Sequence, residues 1–372
     1  MNPAAPHYRS HVPGLVELHD DVVALTAALV DVPSQSHQEQ QLADLVEDAL
    51  GALPGLSVER VGNVIVAATH LGHAERVVLA GHLDTVPAAG NLPHRLVDGW
   101  LWGLGSVDMK GGVAVLLRMA LMASKNPGAL HRDISCVLYD CEEVAAEFNG
   151  LERLVQARPD LLACDAAILL EPTDGLVEAG CQGTLRAVVD VAGVRAHSAR
   201  SWLGVNAIHE MSAVLHRLTT YQARQPVVDG LQYREGLNAV GISGGVAGNV
   251  IPDACTVTIN YRFAPDRSPQ QAADHLREVF AGYPVRIEDV APGARPGTDQ
   301  SVVQDFIRAS GQPARAKLGW TDVARFAALG IPALNFGPGN PGLAHAVDER
   351  VQVDQIRSCE AVLLRWLTNR LP

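Results

Sequence analysis

Two side chains able to share a metal site, His82 and Asp84, stand two residues apart in the stretch Gly81-His82-Leu83-Asp84-Thr85-Val86-Pro87. The stretch follows Val77-Val78-Leu79-Ala80, an apolar run with the composition of a strand buried on both faces. Residues two apart in extended chain point the same way, so both side chains share one face at the strand's carboxyl end. That suits an imidazole ligand with a carboxylate behind it, fixing the tautomer through the other ring nitrogen. Gly81 permits close approach of the backbone, and Pro87 ends the strand.

The pattern of an apolar run ending in an acid recurs downstream. Residues 134–141 read as a buried strand that runs straight into Glu142-Glu143. Adjacent carboxylates after a strand point in different directions, so one can ligate a metal while the other faces a water. Residues 166–170 read as a third such strand and end at Glu171-Pro172-Thr173. Asp108 sits in the glycine-rich Gly103-Leu104-Gly105-Ser106-Val107-Asp108-Met109-Lys110-Gly111-Gly112, just before an apolar helical segment at 113–123. His345 follows the loop Gly337-Pro338-Gly339-Asn340-Pro341-Gly342 and precedes Asp348-Glu349. In open α/β sheets ligands collect at the carboxyl ends of strands. Together His82, Asp108, Glu143, Glu171 and His345 offer nitrogen and carboxylate donors without thiolates, a set that suits Zn²⁺, Co²⁺ or Mn²⁺. Five ligands are too many for one tetrahedral zinc. They fit two metals bridged by one carboxylate and one water.

Composition narrows the partners. At 372 residues the chain exceeds the usual size of a single core, so two domains are expected. With 48% hydrophobic and 19% charged residues it reads as an ordinary globular protein. A net charge of −12 argues against nucleic acid as the main partner, because phosphate binding needs a basic surface. No apolar run reaches membrane-spanning length, and the opening residues show no basic segment followed by an apolar one, so neither a membrane span nor a signal peptide is expected. The six cysteines are scattered without paired spacing, which fits free thiols and a cytoplasmic setting. Cys136 and Cys141 read as packing residues.

Helices are expected at 16–29 and 38–53, the second capped by Ser36, with strands at 58–61 and 63–68 joined by a Gly62-Asn63 turn. After about Gly183 the character changes. Strands at 185–194, 239–243, 254–262 and 285–290 alternate with helices at 204–220 and 268–281, giving the β-α-β-β-α-β order of a ferredoxin-like module. The return of α/β character from 302 onward, with a strand at 333–336 and a helix at 353–371, marks that module as an insertion. The fold class is therefore α/β, with a discontinuous domain at 1–182 and 296–372 and an inserted one at 183–295.

Over nearly its whole length the sequence resembles the M20 family of dinuclear zinc hydrolases. The likeness rests on the His82-to-Pro87 stretch, Asp108-Met109-Lys110-Gly111-Gly112, Glu142-Glu143, Glu171-Pro172-Thr173 and Ala344-His345-Ala346-Val347-Asp348-Glu349. The resemblance implies a mixed-sheet, zinc-peptidase-like catalytic domain and a ferredoxin-like lid through which the protein forms a homodimer. It implies two Zn²⁺ per subunit, with Asp108 as the bridging ligand, His82 and Glu171 on one metal, and Glu143 and His345 on the other. Glu142 is then the general base, Asp84 orients His82, and a cis peptide follows Asp108. In the lid, His197 of Ala196-His197-Ser198 implies an oxyanion contact that reaches the neighbouring subunit's site, and Asn249 and Arg262 imply substrate contacts. Thr321, in Gly319-Trp320-Thr321-Asp322 at an expected helix start, offers a hydroxyl and backbone N–H groups to a substrate carboxylate. The implied substrate is a small N-acyl amino acid. The family branch most similar in wording hydrolyses N-succinyl-LL-2,6-diaminopimelate to succinate and LL-2,6-diaminopimelate. N-acetylornithine deacetylation, glutamate carboxypeptidase activity and an inactive metal-binding module are the rival readings. One departure stands out: where that branch has an arginine pair at the lid entry, this chain has Cys181-Gln182, leaving Arg186, Arg195 or Arg200 to take over the contact.

Overall fold

The computed structural model describes residues 21–368, so residues 16–20 of the first expected helix and 369–371 of the last lie outside it. The chain forms two compact units. Among the described residues, one comprises 21–178, 300–313 and 333–368, the other 179–299 and 314–332.

The first unit is built on a mixed sheet. Six neighbouring strands run in the order Ser57–Val61, Val64–Ala68, Asp133–Tyr139, Arg76–His82, Ala166–Leu169 and Ala333–Asn335. The first two form an antiparallel hairpin closed by Gly62-Asn63, and Val64–Ala68 runs antiparallel to Asp133–Tyr139. The remaining four are parallel. Arg76–His82 and Asp133–Tyr139 are buried almost throughout, as continuous apolar runs require when helices cover both faces. Helix Lys110–Lys125 is buried nearly all round and packs against both strands and against helices Val22–Val30 and Val353–Thr368. Gly112 lets it approach: a Cβ there would lie 2.2 Å from the Leu170 carbonyl oxygen. The Asp108–Met109 peptide just before this helix is cis, as the resemblance implies.

Two local expectations are corrected. Ser36 does not cap the second helix, which spans Gln40–Gly51; its hydroxyl donates instead to Asp84 Oδ2 at 2.8 Å. Cys141 is buried like Cys136 but lies beyond the end of the strand, and its thiol donates to Glu39 Oε1 at 3.3 Å.

The second unit has the expected β-α-β-β-α-β order. Its antiparallel sheet runs Gly236–Gly244, Ala254–Phe263, Gly183–Ala192, Val285–Ala291. Alternation along Ala254–Phe263 sends Cys255, Val257, Ile259, Tyr261 and Phe263 into a core shared with Met211, Val214, Leu276 and Phe280 from helices Ala207–Thr219 and Pro269–Val279. Asn206 caps the first of these helices, and Ser268 with Gln271 forms a capping box on the second. Residues 314–332 join this unit, although the sequence assigns them to the discontinuous domain. The cause is hydrogen bonding: Lys317 N–H donates to Ala179 O, the Cys181 thiol contacts Thr321 O, and Trp320 Nε1 donates to Pro292 O. Among the described residues no helix is long and apolar enough to cross a membrane, and all six cysteines are free.

Candidate active site

All four parallel strands deliver acids or imidazoles from their carboxyl ends. His82 is the last residue of its strand and is buried. Its Nδ1 lies 3.0 Å from the Asp84 main-chain oxygen and 3.4 Å from Asp84 Oδ1. That arrangement leaves Nε2 facing Asp108 Oδ1 at 3.0 Å. Burial disfavours the imidazolium, yet Asp108 and Asp84 together hold the His82 pKa well above its usual value.

Asp84 does more than orient the ring. Its Oδ1 accepts the Glu142 N–H at 3.0 Å, and its Oδ2 accepts the Glu143 N–H at 3.1 Å. One buried carboxylate therefore fixes both an imidazole and the turn that carries the two glutamates. Burial alone would raise its pKa, but His82 and these two N–H groups outweigh it, and the net shift is downward.

Asp108 stands between two imidazoles. While Oδ1 faces His82, Oδ2 lies 3.5 Å from His345 Nε2. The same His345 nitrogen is 2.8 Å from Glu143 Oε1. Burial opposes ionisation of Asp108, but the two histidines hold its carboxyl far below the usual range. His345 in turn is pushed up to about 10 by Asp108 and Glu143. Donor atoms of His82, Asp108 and Glu171 all lie within 4.8 Å of one another, as do those of Asp108, Glu143 and His345, and those of His82, Glu142 and Glu143. The residues fit a pair of divalent cations: two donor groups of nitrogen and oxygen share one carboxylate, whose two oxygens face opposite ways.

The expected ligand set is thus brought together in the first unit, with Glu142 beside it. His197, Asn249, Arg262 and Thr321 belong to the second unit. There the short strand Ala196–His197 pairs with Val250–Ile251, and the Ser198 N–H donates to Asn249 O at 2.9 Å, so His197 and Asn249 are neighbours. The exposed His197 ring accepts the Ala199 N–H on Nδ1 at 3.0 Å. Arg262 lies on the face of its strand opposite the apolar core, partly buried. Its Nε donates to Asn260 Oδ1 at 3.2 Å, and no carboxylate pairs with its guanidinium among the described residues. Thr321 differs from the expectation of an open hydroxyl. It is buried, its Oγ1 is enclosed without a hydrogen-bond partner, and the helix beyond it spans only Val323–Ala328.

The Cys181-Gln182 departure is structural. Both side chains are buried, and Gln182 Nε2 donates to Arg234 O at 2.6 Å. Of the possible replacements, Arg195 is held in a two-pronged pair with Asp253, and Arg186 lies 3.7 Å from Glu288. Arg200 sits exposed in the turn Ser198–Leu203.

Two residues near the centre had no role at the site from sequence. One is Ser36, whose contact with Asp84 spans 48 positions and leaves no local signal. The other is Glu349, four residues after His345, whose buried carboxylate accepts N–H groups from the Asp108 loop. Burial pushes Glu349 up to about 7, with Asp108 adding and the N–H donors opposing.

Comparison with known proteins places this geometry. The model of peptidase family M20/M25/M40 matches residues 78–369, and the chain belongs to that family. A Mycobacterium tuberculosis protein, provisionally named succinyl-diaminopimelate desuccinylase DapE, is 54% identical over 356 residues, covering 95% of this chain and 99% of the relative. The succinyl-diaminopimelate desuccinylase of Corynebacterium glutamicum is 49% identical over 366 residues, covering 96% and 98%. Among solved structures, a Staphylococcus aureus tripeptidase superposes with a TM-score of 0.75 at 20% identity, covering 94% of this chain and 98% of the other, a likeness of fold.

Proposed function

We propose that this protein hydrolyses N-succinyl-LL-2,6-diaminopimelate to succinate and LL-2,6-diaminopimelate, in diaminopimelate and lysine biosynthesis. The observation that carries the hydrolytic reading is the Asp108 carboxylate, which stands between His82 and His345 with one oxygen toward each. The substrate rests on the extent of the likeness to the two bacterial relatives, which reaches both ends of their chains almost completely.

In this reading two Zn²⁺ ions occupy each subunit, with Co²⁺ or Mn²⁺ able to substitute. Asp108 would be shared by the two ions, His82 and Glu171 would complete one site, and Glu143 and His345 the other. When bound, the metal pair polarises the scissile carbonyl and makes a water more acidic. Glu142 takes the proton from the attacking water and returns it to the leaving amine. Asp84 holds the Glu142-Glu143 turn and the His82 ring in register. From the second unit, the lid in this reading, His197 supplies an oxyanion contact. The substrate carries three carboxylates around its amide. Arg262, a partly buried cation with no carboxylate partner among the described residues, supplies a positive contact for one of them, helped by Asn249.

The active form is a homodimer joined through the lid, and the free cysteines suit a cytoplasmic enzyme. The edge strand Gly236–Gly244 supports the dimer: it exposes Val240 and Ile242, with Ile208 on the helix beside it.

A substrate panel tests the reading. With the zinc-loaded protein, kcat/KM for the succinyl compound exceeds that for its N-acetyl analogue by at least about 10²-fold, the worth of one or two charge-assisted hydrogen bonds. If N-acetylornithine or a γ-glutamyl substrate turns over equally well, the succinyl assignment is lost and the family assignment stands. No turnover of any N-acyl amino acid would leave only a metal-binding module.

A further inference from the structure

Glu349 contributes no atom to either donor group, yet its carboxylate is tied to the residue they share. It is 2% exposed. Oε1 accepts the N–H of Val107 at 2.8 Å and of Asp108 at 3.1 Å, and Oε2 accepts the N–H of Gly105 at 3.0 Å. Its main-chain oxygen takes a fourth N–H from the same loop, that of Gly103, at 3.0 Å. The loop it grips is neither helix nor strand, and Gly103 and Gly105 both have positive φ. Such backbone has no ladder to satisfy its N–H groups, and buried donors need acceptors. A carboxylate offers two oxygens with several lone pairs, which is what three converging N–H groups require. The segment that carries Glu349 also carries His345, and its main chain turns back on itself where the Glu349 N–H donates to Ala346 O at 3.1 Å.

We propose that Glu349 is a positioning residue for the paired metal site: it sets where the Asp108 carboxylate stands relative to His345. This rests on the reading of Asp108 as the bridging ligand. One short segment then supplies a ligand to one metal and fixes the residue that joins both. Asp108 has to present its two oxygens to two different partners, so a rotation or shift of its main chain spoils both contacts together. Loss of Glu349 therefore weakens both metals together. A defect confined to a single ligand weakens one of them first.

The test is a Co²⁺ titration of the metal-free protein, followed by visible absorption and by competition with a chelator, well below the melting temperature of each variant. The parent takes up two equivalents. Glu349→Ala is expected to lose about 10–100-fold in affinity for both equivalents, the usual effect of removing a group that orients ligands, and to show an altered cobalt spectrum. Glu349→Gln keeps the volume and one acceptor oxygen but turns an NH₂ toward an N–H donor. It is expected to fall between the two and serves where the alanine variant does not fold. Parent affinity and spectrum in the glutamine variant would overturn the proposal. If the parent itself fails to bind two equivalents, the fault lies in the reading of the metal site and not in Glu349.

Discussion

Glu142 and Glu143 share a main-chain anchor and differ in where their side chains lead. Both N–H groups rest on Asp84, while the Glu143 carboxylate meets His345. In the proposed reading, removing the charge from Glu142 therefore removes the base and leaves the Asp108, Glu143 and His345 donors in place. In Glu142→Gln, kcat is expected to fall about 10²–10⁴-fold with two metal equivalents retained, measured by turnover and metal analysis on the same sample. Retained activity would mean that another group takes the proton. Residue types made this part of the site readable in the sequence, because acids and histidines stood where apolar runs stopped. The supports were not readable. Asp84 takes its partners from Ser36 and from the 142–143 turn, 48 to 59 positions away, and no periodicity encodes such contacts.

Elements were legible where their period was strong. The strict alternation of Ala254–Phe263 and the Ser268-Pro269 start of the following helix both appear as the sequence implies. Their ends were set by contacts. Helix Ala207–Thr219 begins where Asn206 accepts the N–H groups of Ile208 and His209, three residues later than its apolar period suggests. Helix Lys110–Lys125 is held to the Glu171 strand by the closeness of Gly112 to Leu170. In Gly112→Ala the added methyl meets a backbone oxygen that cannot step aside. A loss of about 1–3 kcal/mol in unfolding free energy is expected, read from denaturant curves. Parent stability there would show that helix and strand separate at little cost. In the second unit, Glu235 is enclosed and receives Arg224, the Ala264 N–H and the Tyr261 hydroxyl. Burial would raise its pKa; those partners lower it below 4.5. A depressed carboxyl stabilises the fold above its unfolded value, and that contribution fades as pH falls through the folded value. Glu235→Gln should thus melt below the parent at neutral pH, with the difference shrinking in acid below about pH 4.5. A difference that stays constant with pH would assign the effect to packing.

Over the whole molecule, the second unit is an insertion that also recruits residues 314–332, and those residues showed no compositional break to announce the change of partner. What decides their membership is a set of main-chain and side-chain hydrogen bonds to 179, 181 and 292, invisible to local pattern. The proposed dimer makes a prediction at this scale. Mixing a His197→Ala chain with a Glu142→Gln chain should restore activity, because each mixed dimer has one complete site. Both parents of the cross are expected to be nearly inactive alone, so the gain is read directly in an assay after subunit exchange. No gain with exchange verified would confine His197 to its own chain.

Glu349 and the loop it grips are 241 to 244 positions apart in the chain. A ribosome adding roughly 5–20 residues per second leaves an interval of about 10–50 s between making the two. Once residue 171 has been added, the nascent chain holds His82, Asp108, Glu143 and Glu171, but still lacks His345 and the carboxylate that closes the Asp108 loop. In the proposed reading, a chain broken off before residue 345 can offer a cation only part of the donor set, so full metal loading waits until residues 345–349 have been made.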